Sequence, residues 1–592
     1  MVASLEREAI ENPDGLRRRA RALVALGYAY VFGLLALLLL VLAFLLWATI
    51  NTNSRALTVK LIFVLGALVL LLLRALWVRV RPPEGVPLDL SRAPRLAARV
   101  EAIRAALKAP KADQVLVTMD FNASVTQIPR FGIFGGDRTY LILGLPLMYA
   151  VGQRHFDAIL AHEYGHLSGA HPKFGLWLGR IGTTWGRLQE RTDSDEAGWG
   201  GFMVSGFLKW YMPRLNAHAY ALRRGDEFAA DSDSARATSA RVAAQALVSL
   251  EMRGPHHDEY WSALFKRREH EATAPTEAWS SLPGWLASAD ARAERFEWVT
   301  RALQRTSLVD DSHPSLRERL ASLRIPVPDG SAEDVVRELV PPIGTAAATH
   351  YLGEVAVAQL KTWDREWHAE ASKTWGEAHR ELRKLRERVG ELAGRDAAGE
   401  TLAAAELWEL ADGVYDLDGA EAAKPWLEQV VATDQEHAPA HYLLGRFLLS
   451  RRDPAGVPLV RRAMALDPGA LGAGHELLRA FHAEVADRNA DVALGDETER
   501  LAAVHRKTLD ERHRLLKSDS LGPVTLSADA RAALLEAAAL KGVGKLWIGR
   551  KLGTDAKKPP VVVVYVQPGS VLLTSYGSAR ERIAAETVDC LG

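Results

Sequence analysis

From Leu26 to Ile50 the chain carries no charged side chain, and its centre reads Leu34-Leu35-Ala36-Leu37-Leu38-Leu39-Leu40. That run exceeds the ~20 residues needed to cross a hydrocarbon core, where only a helix satisfies its own backbone polar groups. A second apolar stretch, Leu57 to Val78, is interrupted only by Lys60 and Arg74, both near its ends where long basic side chains reach the interface. Asn51 to Arg55 joins the two as a tight turn. The pattern predicts a two-helix membrane anchor over 23–80, with the lipid bilayer as its partner. A cleaved signal peptide is disfavoured, because the run is too long and a second one follows at once. Arg17, Arg18, Arg19 and Arg21 precede the first span, Arg79, Arg81, Arg92 and Arg95 follow the second, and the loop offers only Arg55 and Lys60. The positive-inside rule then predicts a multi-pass protein of an inner or plasma membrane, with both termini and everything after the anchor on the cytoplasmic side. A single cysteine, Cys590, permits no intramolecular disulfide and agrees with a reducing compartment.

The chemistry-bearing motif is His162-Glu163-Tyr164-Gly165-His166, inside FDAILAHEYGHLSGA. On a helix the two histidines stand at i and i+4 on one face, so both imidazoles reach one metal ion, with Glu163 beside its open position. Phe156, Ile159, Leu160 and Leu167 supply an apolar stripe that buries this helix. Gly165 costs about 1 kcal/mol relative to Ala in a helix interior, so another element is expected to pack closely there. A third ligand is available downstream in Asp226-Glu227-Phe228-Ala229-Ala230-Asp231. Glu227 and Asp231 share a helix face; Glu227 is expected to complete a His-His-Glu set on one zinc ion, leaving the fourth position for water. Asp231 is expected to accept the far N–H of a ligating histidine and fix its tautomer.

These two motifs resemble the membrane-bound zinc metallopeptidases that include the bacterial heat-shock protease HtpX and the CAAX prenyl endopeptidase. Asn122-Ala123-Ser124-Val125, Phe131-Gly132-Ile133-Phe134-Gly135-Gly136 and Tyr140-Leu141-Ile142-Leu143-Gly144-Leu145-Pro146-Leu147 resemble that family's segment before the catalytic helix. Ser312-His313-Pro314-Ser315-Leu316-Arg317-Glu318-Arg319-Leu320 resembles its closing HP-containing helix start. The resemblance spans residues ~90–325. It implies a zincin-type endopeptidase acting on protein or peptide substrates, with a role in protein quality control. In such chemistry the metal acidifies its bound water, and Glu163 takes the water's proton and returns it to the leaving amine. His313 has two readings: an oxyanion donor or extra ligand at the site, or part of a helix start in which Ser312 is the cap and Pro314 sits in the first turn. Arg317 and Arg319 are expected to be solvated or paired along the helix. Arg138 to Leu143 reads as a strand, and Tyr140, Leu141, Ile142 and Leu143 are expected to offer a free edge to an extended substrate. HtpX-like proteins carry two further spans between the zinc motifs; here Arg180, Arg187 and Asp193-Ser194-Asp195-Glu196 argue against them, and surface-lying or domain-packed helices are expected instead.

The chain's 592 residues leave room for further domains. Balanced charge, 73 basic against 73 acidic residues, gives no reason to expect nucleic-acid binding. Over 345–398, Leu382, Leu385, Val389 and Leu392 step by three and four, with Trp363, Trp367 and Trp375 upstream, predicting a long amphipathic helix. Over 400–490, Leu410, Ala411 and Val414 recur as Leu444, Gly445 and Leu448, and Ala423, Leu427 and Val430 as Gly456, Val460 and Ala463. A third copy begins at Leu477, Leu478 and Phe481, and the spacing resembles tetratricopeptide repeats, suited to a protein partner. Over 519–592 a helix from Ser527 to Lys541, then strands over Lys545–Lys551 and Pro560–Gln567, predict a small α+β domain. The whole is expected to be mainly α with a small β-sheet: N-terminal segment 1–22, anchor, metallopeptidase domain 88–330, long helix, repeats and end domain. A processing protease for prenylated or other specific peptides is the neighbouring reading. A zinc-binding scaffold or chaperone recruiting clients through the repeats is a different class; the intact HEYGH favours the enzyme, since a scaffold has no need of Glu163.

Overall fold

The computed structural model describes residues 12–51, 82–129, 136–168, 198–291, 294–307, 313–327, 332–340, 342–485, 488–513, 521–523, 543–551 and 562–568, with a few single positions elsewhere. The loop 52–58, most of the second apolar stretch, residues 131–135, the acidic run 193–196, most of the helix expected over 527–541, and Cys590 lie outside the described residues. The chain divides into two units, residues 1–426 with 480–488, and residues 427–479 with 489–592.

The first unit begins with helix α1 (Pro13–Asn51), the one helix among the described residues long and apolar enough to cross a membrane. Its two halves differ. Leu16, Ala20 and Val24 are fully buried in a cluster with Leu208, Tyr211 and Leu215, whereas Leu40 and Ile50 are 69% and 79% exposed. These outward apolar side chains join no apolar cluster among the described residues. Leu38 and Val69 form a small apolar cluster with Leu34, Leu35 and Leu65, so part of the second stretch lies against α1.

After α1 come strand β1 (Val86–Pro87), helix α2 (Pro94–Leu107), and strands β2 (Gln114–Thr118), β3 (Ala123–Pro129) and β4 (Asp137–Gly144). The sheet order is β1-β2-β4-β3, with β2 and β4 parallel and the other pairs antiparallel. Helix α3 (Leu145–Ala150) then leads into α4 (Gln153–Gly165), which carries the HEYGH motif. Gly144 at the end of β4 has no room for a side chain: a Cβ there would fall 1.9 Å from the Asp120 carbonyl oxygen. The core joins the sheet (Val115, Val117, Leu141, Leu143) to α4 through Phe156 and Leu160.

Helix α5 (Gly198–Ala237) is 40 residues long and continuous through Pro213. The aromatic segment around Trp210 and Tyr211 is therefore the first half of the helix that carries Glu227 and Asp231, packed on α1, and forms no separate surface-lying helix. Helix α6 (Ala240–Lys266) starts at a Ser239 cap whose side chain accepts from the Val242 N–H. It buries Ala246, Tyr260 and Leu264 in the sheet core and Val248 and Met252 in a second core, shared with α8 (Arg295–Gln304), α9 (Leu316–Ser322) and α10 (Ala332–Leu339). The short helices α7 (Leu282–Ala287) and α11 (Ala347–Tyr351) close the sheet core.

The long amphipathic helix is observed as α12 (Glu354–Ala397). Its first half belongs to the sheet core through Ala356, Leu360 and Trp363, and buried Asp364 accepts the Trp279 and Ser280 N–H groups. The second half buries Val389 and Leu392 beside α13 (Ala404–Asp418), where a Cβ on Gly413 would lie 2.5 Å from a Val389 methyl. Helix α14 (Ala420–Thr433) follows.

In the second unit, α15 (Ala438–Ser450) and α16 (Gly456–Leu466) form a tight antiparallel pair. A Cβ on Gly456 would meet the Gly445 carbonyl oxygen at 2.5 Å, so both glycines serve close backbone approach. Helices α17 (Ala470–Glu484) and α18 (Arg488–His513) follow in the chain. The repeat positions Leu410, Ala411, Leu427, Leu444, Val460 and Leu478 are all buried. Strands β5 (Leu521–Gly522), β6 (Val543–Lys551) and β7 (Val562–Pro568) make an antiparallel sheet in the order β5-β6-β7, as expected for the two longer strands.

Candidate metal centre

Helices α4 and α5 cross where α4 has no side chain to keep them apart. A Cβ on Gly165 would lie 3.0 Å from Ala230 Cα and 3.2 Å from Asp233 Cβ, so the glycine serves the close contact its sequence cost implied. Two hydrogen bonds fix the crossing: Ser234 Oγ donates to the Ala158 carbonyl at 2.7 Å, and Ser168 Oγ to Asp233 Oδ2 at 2.6 Å. This clamp sets the depth at which α5 presents Glu227 and Asp231 to the histidine face of α4.

His162, His166 and Glu227 converge, and one ligand atom from each lies within 4.8 Å of the others. The two Nε2 atoms are 3.2 Å apart, His162 Nε2 is 3.5 Å from Glu227 Oε2, and His166 Nε2 is 3.4 Å from Glu227 Oε1. Behind this triangle, His162 Nδ1–H donates to Asp231 Oδ1 at 3.0 Å, which leaves Nε2 as the ring nitrogen facing Glu227. The histidine–carboxylate pairing expected from sequence is thus present. Three donors, His162 and Glu227 buried and His166 partly exposed, stand close enough together that they could hold a metal ion.

His313 Nδ1 stands 2.8 Å from Glu227 Oε2, its own side chain half exposed, so it touches the site through the carboxylate. The helix after it begins later than expected. Its cap is Ser315, whose hydroxyl accepts from Glu318 N while Glu318 reaches back to the Ser315 N–H, so the cap expected at Ser312 is corrected to a full capping box one turn on. The solvated reading of Arg319 is also corrected. Its side chain is 12% exposed, and it donates to Asp231 through Nε at 2.9 Å and Nη2 at 2.6 Å, with Nη2 3.9 Å from Glu227. Arg317 donates to the Leu303 carbonyl. A lone arginine on an exposed-looking helix offers no signal of burial; the capping box and the carboxylate at Asp231 were the only hints.

The electrostatics follow from crowding. Burial alone would lower the His162 pKa, but its bonds to Asp231 and Glu227 outweigh this and hold it up at about 9. His166 is pushed down to about 4 by burial and by the neighbouring His162 charge. Burial would raise the Glu227 and Asp231 carboxyls, yet the histidine bonds on Glu227 and the Arg319 and His162 bonds on Asp231 leave both lowered. Glu163 is the exception: desolvation dominates, and its carboxyl is raised.

A cavity of about 430 Å³ opens beside the triangle, lined by Asn122, Ala123, Ile159, Glu163 and Leu250 among others. The expected substrate strand is corrected here. Tyr140 to Leu143 in β4 pair with β2 on one side and β3 on the other, so they have no free edge. The outermost strand on the cavity side is β3, whose first residue Ala123 and preceding Asn122 line the cavity.

No curated protein matches the chain. Residues 90–327 match the family model described as Peptidase family M48. This stretch holds every residue of the donor triangle and of its supporting shell, and the match supports placing it in the M48 metallopeptidase family, peptidases that depend on a metal and act on protein or peptide substrates.

Proposed function

We propose that this chain is a membrane-anchored zinc endopeptidase that cuts protein substrates presented near the membrane, in protein quality control. The donor triangle carries the reading. Zinc bound tetrahedrally at its usual ligand distances spaces its nitrogen and oxygen donors about 3.3 Å apart; here the two imidazole Nε2 atoms are 3.2 Å apart, and each has a Glu227 carboxylate oxygen at 3.4–3.5 Å. When bound, zinc supplies a Lewis acid for the scissile carbonyl and lowers the pKa of a water. The chain's own groups do the rest. Glu163 lies in the cavity but outside the triangle, placed to take the attacking water's proton and return it to the leaving amine. Asp231, locked by Arg319, keeps His162 in the tautomer that presents Nε2. His313, against Glu227 and open to solvent, is the side chain placed to reach a developing oxyanion at the cavity mouth. Among the described residues no strand covers the outer side of β3, and that edge could offer main-chain hydrogen bonds to an extended peptide, with little demand on its sequence.

Anchoring by an α1 hairpin is supported by the outward apolar face of that helix and by the Leu38–Val69 cluster. The same helix packs along α5 from Leu208 to Leu222, and its Arg17 stands 3.8 Å from Asp226, the neighbour of Glu227. The proposed anchor and the metal site are therefore in direct contact through α5. The α15–α16 pair and the burial of the repeat positions support a tetratricopeptide-like reading with a protein partner.

The test is casein cleavage by wild type and Glu163→Gln, with bound zinc quantified in both. Equal zinc with loss of cleavage only in the variant is the expected result. If zinc is retained and neither protein cuts any substrate, the non-proteolytic scaffold is the better reading. A reporter fused after Arg81 checks topology: a cytosolic signal is expected, and an exported one overturns the orientation.

A further inference from the structure

One wall of the metal cavity is a single face of α6. Leu247, Leu250, Glu251, Gly254 and Asp258 line it at helical spacing, opposite Ile159 of α4. The lower part of that wall is aliphatic, and two carboxylates stand above it, seven residues apart on the same side. The other charges in the cavity are already engaged. Asp231 is held by Arg319, Glu227 belongs to the donor triangle, and Glu163 is the proposed proton carrier. Asp258, at the outer end, accepts from His257 Nδ1 at 3.1 Å. Glu251 makes no hydrogen bond or ion pair among the described residues; its side chain is exposed to the cavity, and Arg305, Arg319 and His313 act on it only through space. Desolvation raises its carboxyl, a cost that a cation seated beside it would offset.

We propose that Glu251 is a specificity-determining residue that selects substrates carrying a lysine or arginine side chain next to the scissile bond. The inference rests on the peptidase reading and names a substrate class for it. The geometry matches the two-part nature of such a side chain: an aliphatic stem against Leu247, Leu250 and Ile159, and a cationic head at the Glu251 carboxylate, with Asp258 adding negative potential at the mouth. A purely apolar side chain would fill the lower wall and leave Glu251 desolvated without a partner. An acidic one would meet two like charges.

The experiment uses the full-length protein in detergent, loaded with zinc. Cleavage sites in denatured casein are mapped by mass spectrometry. Three quenched fluorescent peptides are then made that differ only in Lys, norleucine or Glu at the mapped position. A hydrogen bond to a charged group is worth roughly ten- to a hundredfold, so wild type is expected to favour Lys over norleucine in kcat/KM by at least about tenfold. Glu251→Gln is expected to bring that ratio close to one, and Glu251→Lys to turn the preference toward the Glu peptide, with zinc content equal in all three proteins. Wild-type cleavage without preference for Lys or Arg overturns the inference alone, as does a preference that Glu251→Gln leaves intact. No cleavage by the zinc-loaded wild type overturns the peptidase reading and the inference together.

Discussion

Arg319 is the sharpest place to test how the site is held. Its guanidinium forks onto Asp231, whose side chain is 3% exposed, and no bulk water is available to replace it. Arg319→Met keeps the length and apolar stem but leaves the buried Asp231 carboxylate with His162 as its one remaining partner among the described residues, beside Glu227. Breaking a buried pair in this way costs about 3–5 kcal/mol. At roughly 2–4 °C per kcal/mol for a domain of this size, the melting temperature of the metal-free protein should fall by about 6–20 °C. The damage is electrostatic, so removing the partner charge should repair it: Asp231→Asn with Arg319→Met should recover at least about half of the loss. Arg319→Lys should sit between, because an ammonium cannot fork onto both carboxylate oxygens. Thermal unfolding in chelator, read by near-ultraviolet circular dichroism, measures all four proteins. A melting temperature for Arg319→Met within ~2 °C of wild type, or a double variant no better than the single one, would refute the claim that this ion pair holds the site together.

Metal uptake should be coupled to protons with a definite sign. In the metal-free protein His162 titrates at about 9 and His166 at about 4, and Glu227 is already ionised at neutral pH. Zinc binding at pH 7 should therefore release close to one proton, from His162, and affinity should climb with pH up to about 9; calorimetry in buffers of different ionisation enthalpy measures both. For the same reason the charged His162 stabilises the metal-free fold below its ordinary pKa, and that contribution should vanish as pH rises through about 9, which chelator-treated melts across pH 6–10 would detect. Gly165→Val places carbon within 3.0 Å of Ala230 Cα, and overpacking of about 1–3 kcal/mol should push α5 from α4 and weaken zinc binding; unchanged affinity would contradict the clamp. Glu163→Gln should keep zinc and lose about 10²–10⁴ in kcat, checked by single-turnover peptide cleavage.

Local periodicity explains which features were legible in the residues alone. His162 and His166 share a face because a helix has 3.6 residues per turn, and the same rule pairs Glu227 with Asp231. Gly165 advertised a close contact because nothing else justifies glycine inside a helix. The repeat spacing, the α12 seam and strands β6 and β7 were visible for similar reasons. Other expectations failed because the deciding partner lies outside the window a local pattern covers. Arg319 looked solvated because its helix is short and charged, but the carboxylate it serves comes from 88 residues earlier. The cap moved from Ser312 to Ser315 because Glu318 completes a capping box only with the latter. Residues 198–215 were expected to form surface-lying or domain-packed helices, yet the backbone runs on through Pro213 into the helix that carries Glu227.

What the amino-acid order determined by itself was the candidate ligand set and one long apolar helix: which side chains share a helix face, and which segment is apolar enough to cross a membrane. Both are properties of neighbours within one or two turns. Tertiary structure alone decided which strand keeps a free edge. Tyr140 to Leu143 precede the metal-site helix, where metallopeptidases of this build present a substrate strand, but β2 and β3 pair with them on either side, leaving β3 outermost among the described strands. Strand order depends on where loops return in space, and no local pattern encodes that. The depth of the metal site was settled the same way, by two helices that touch only because a glycine lets them.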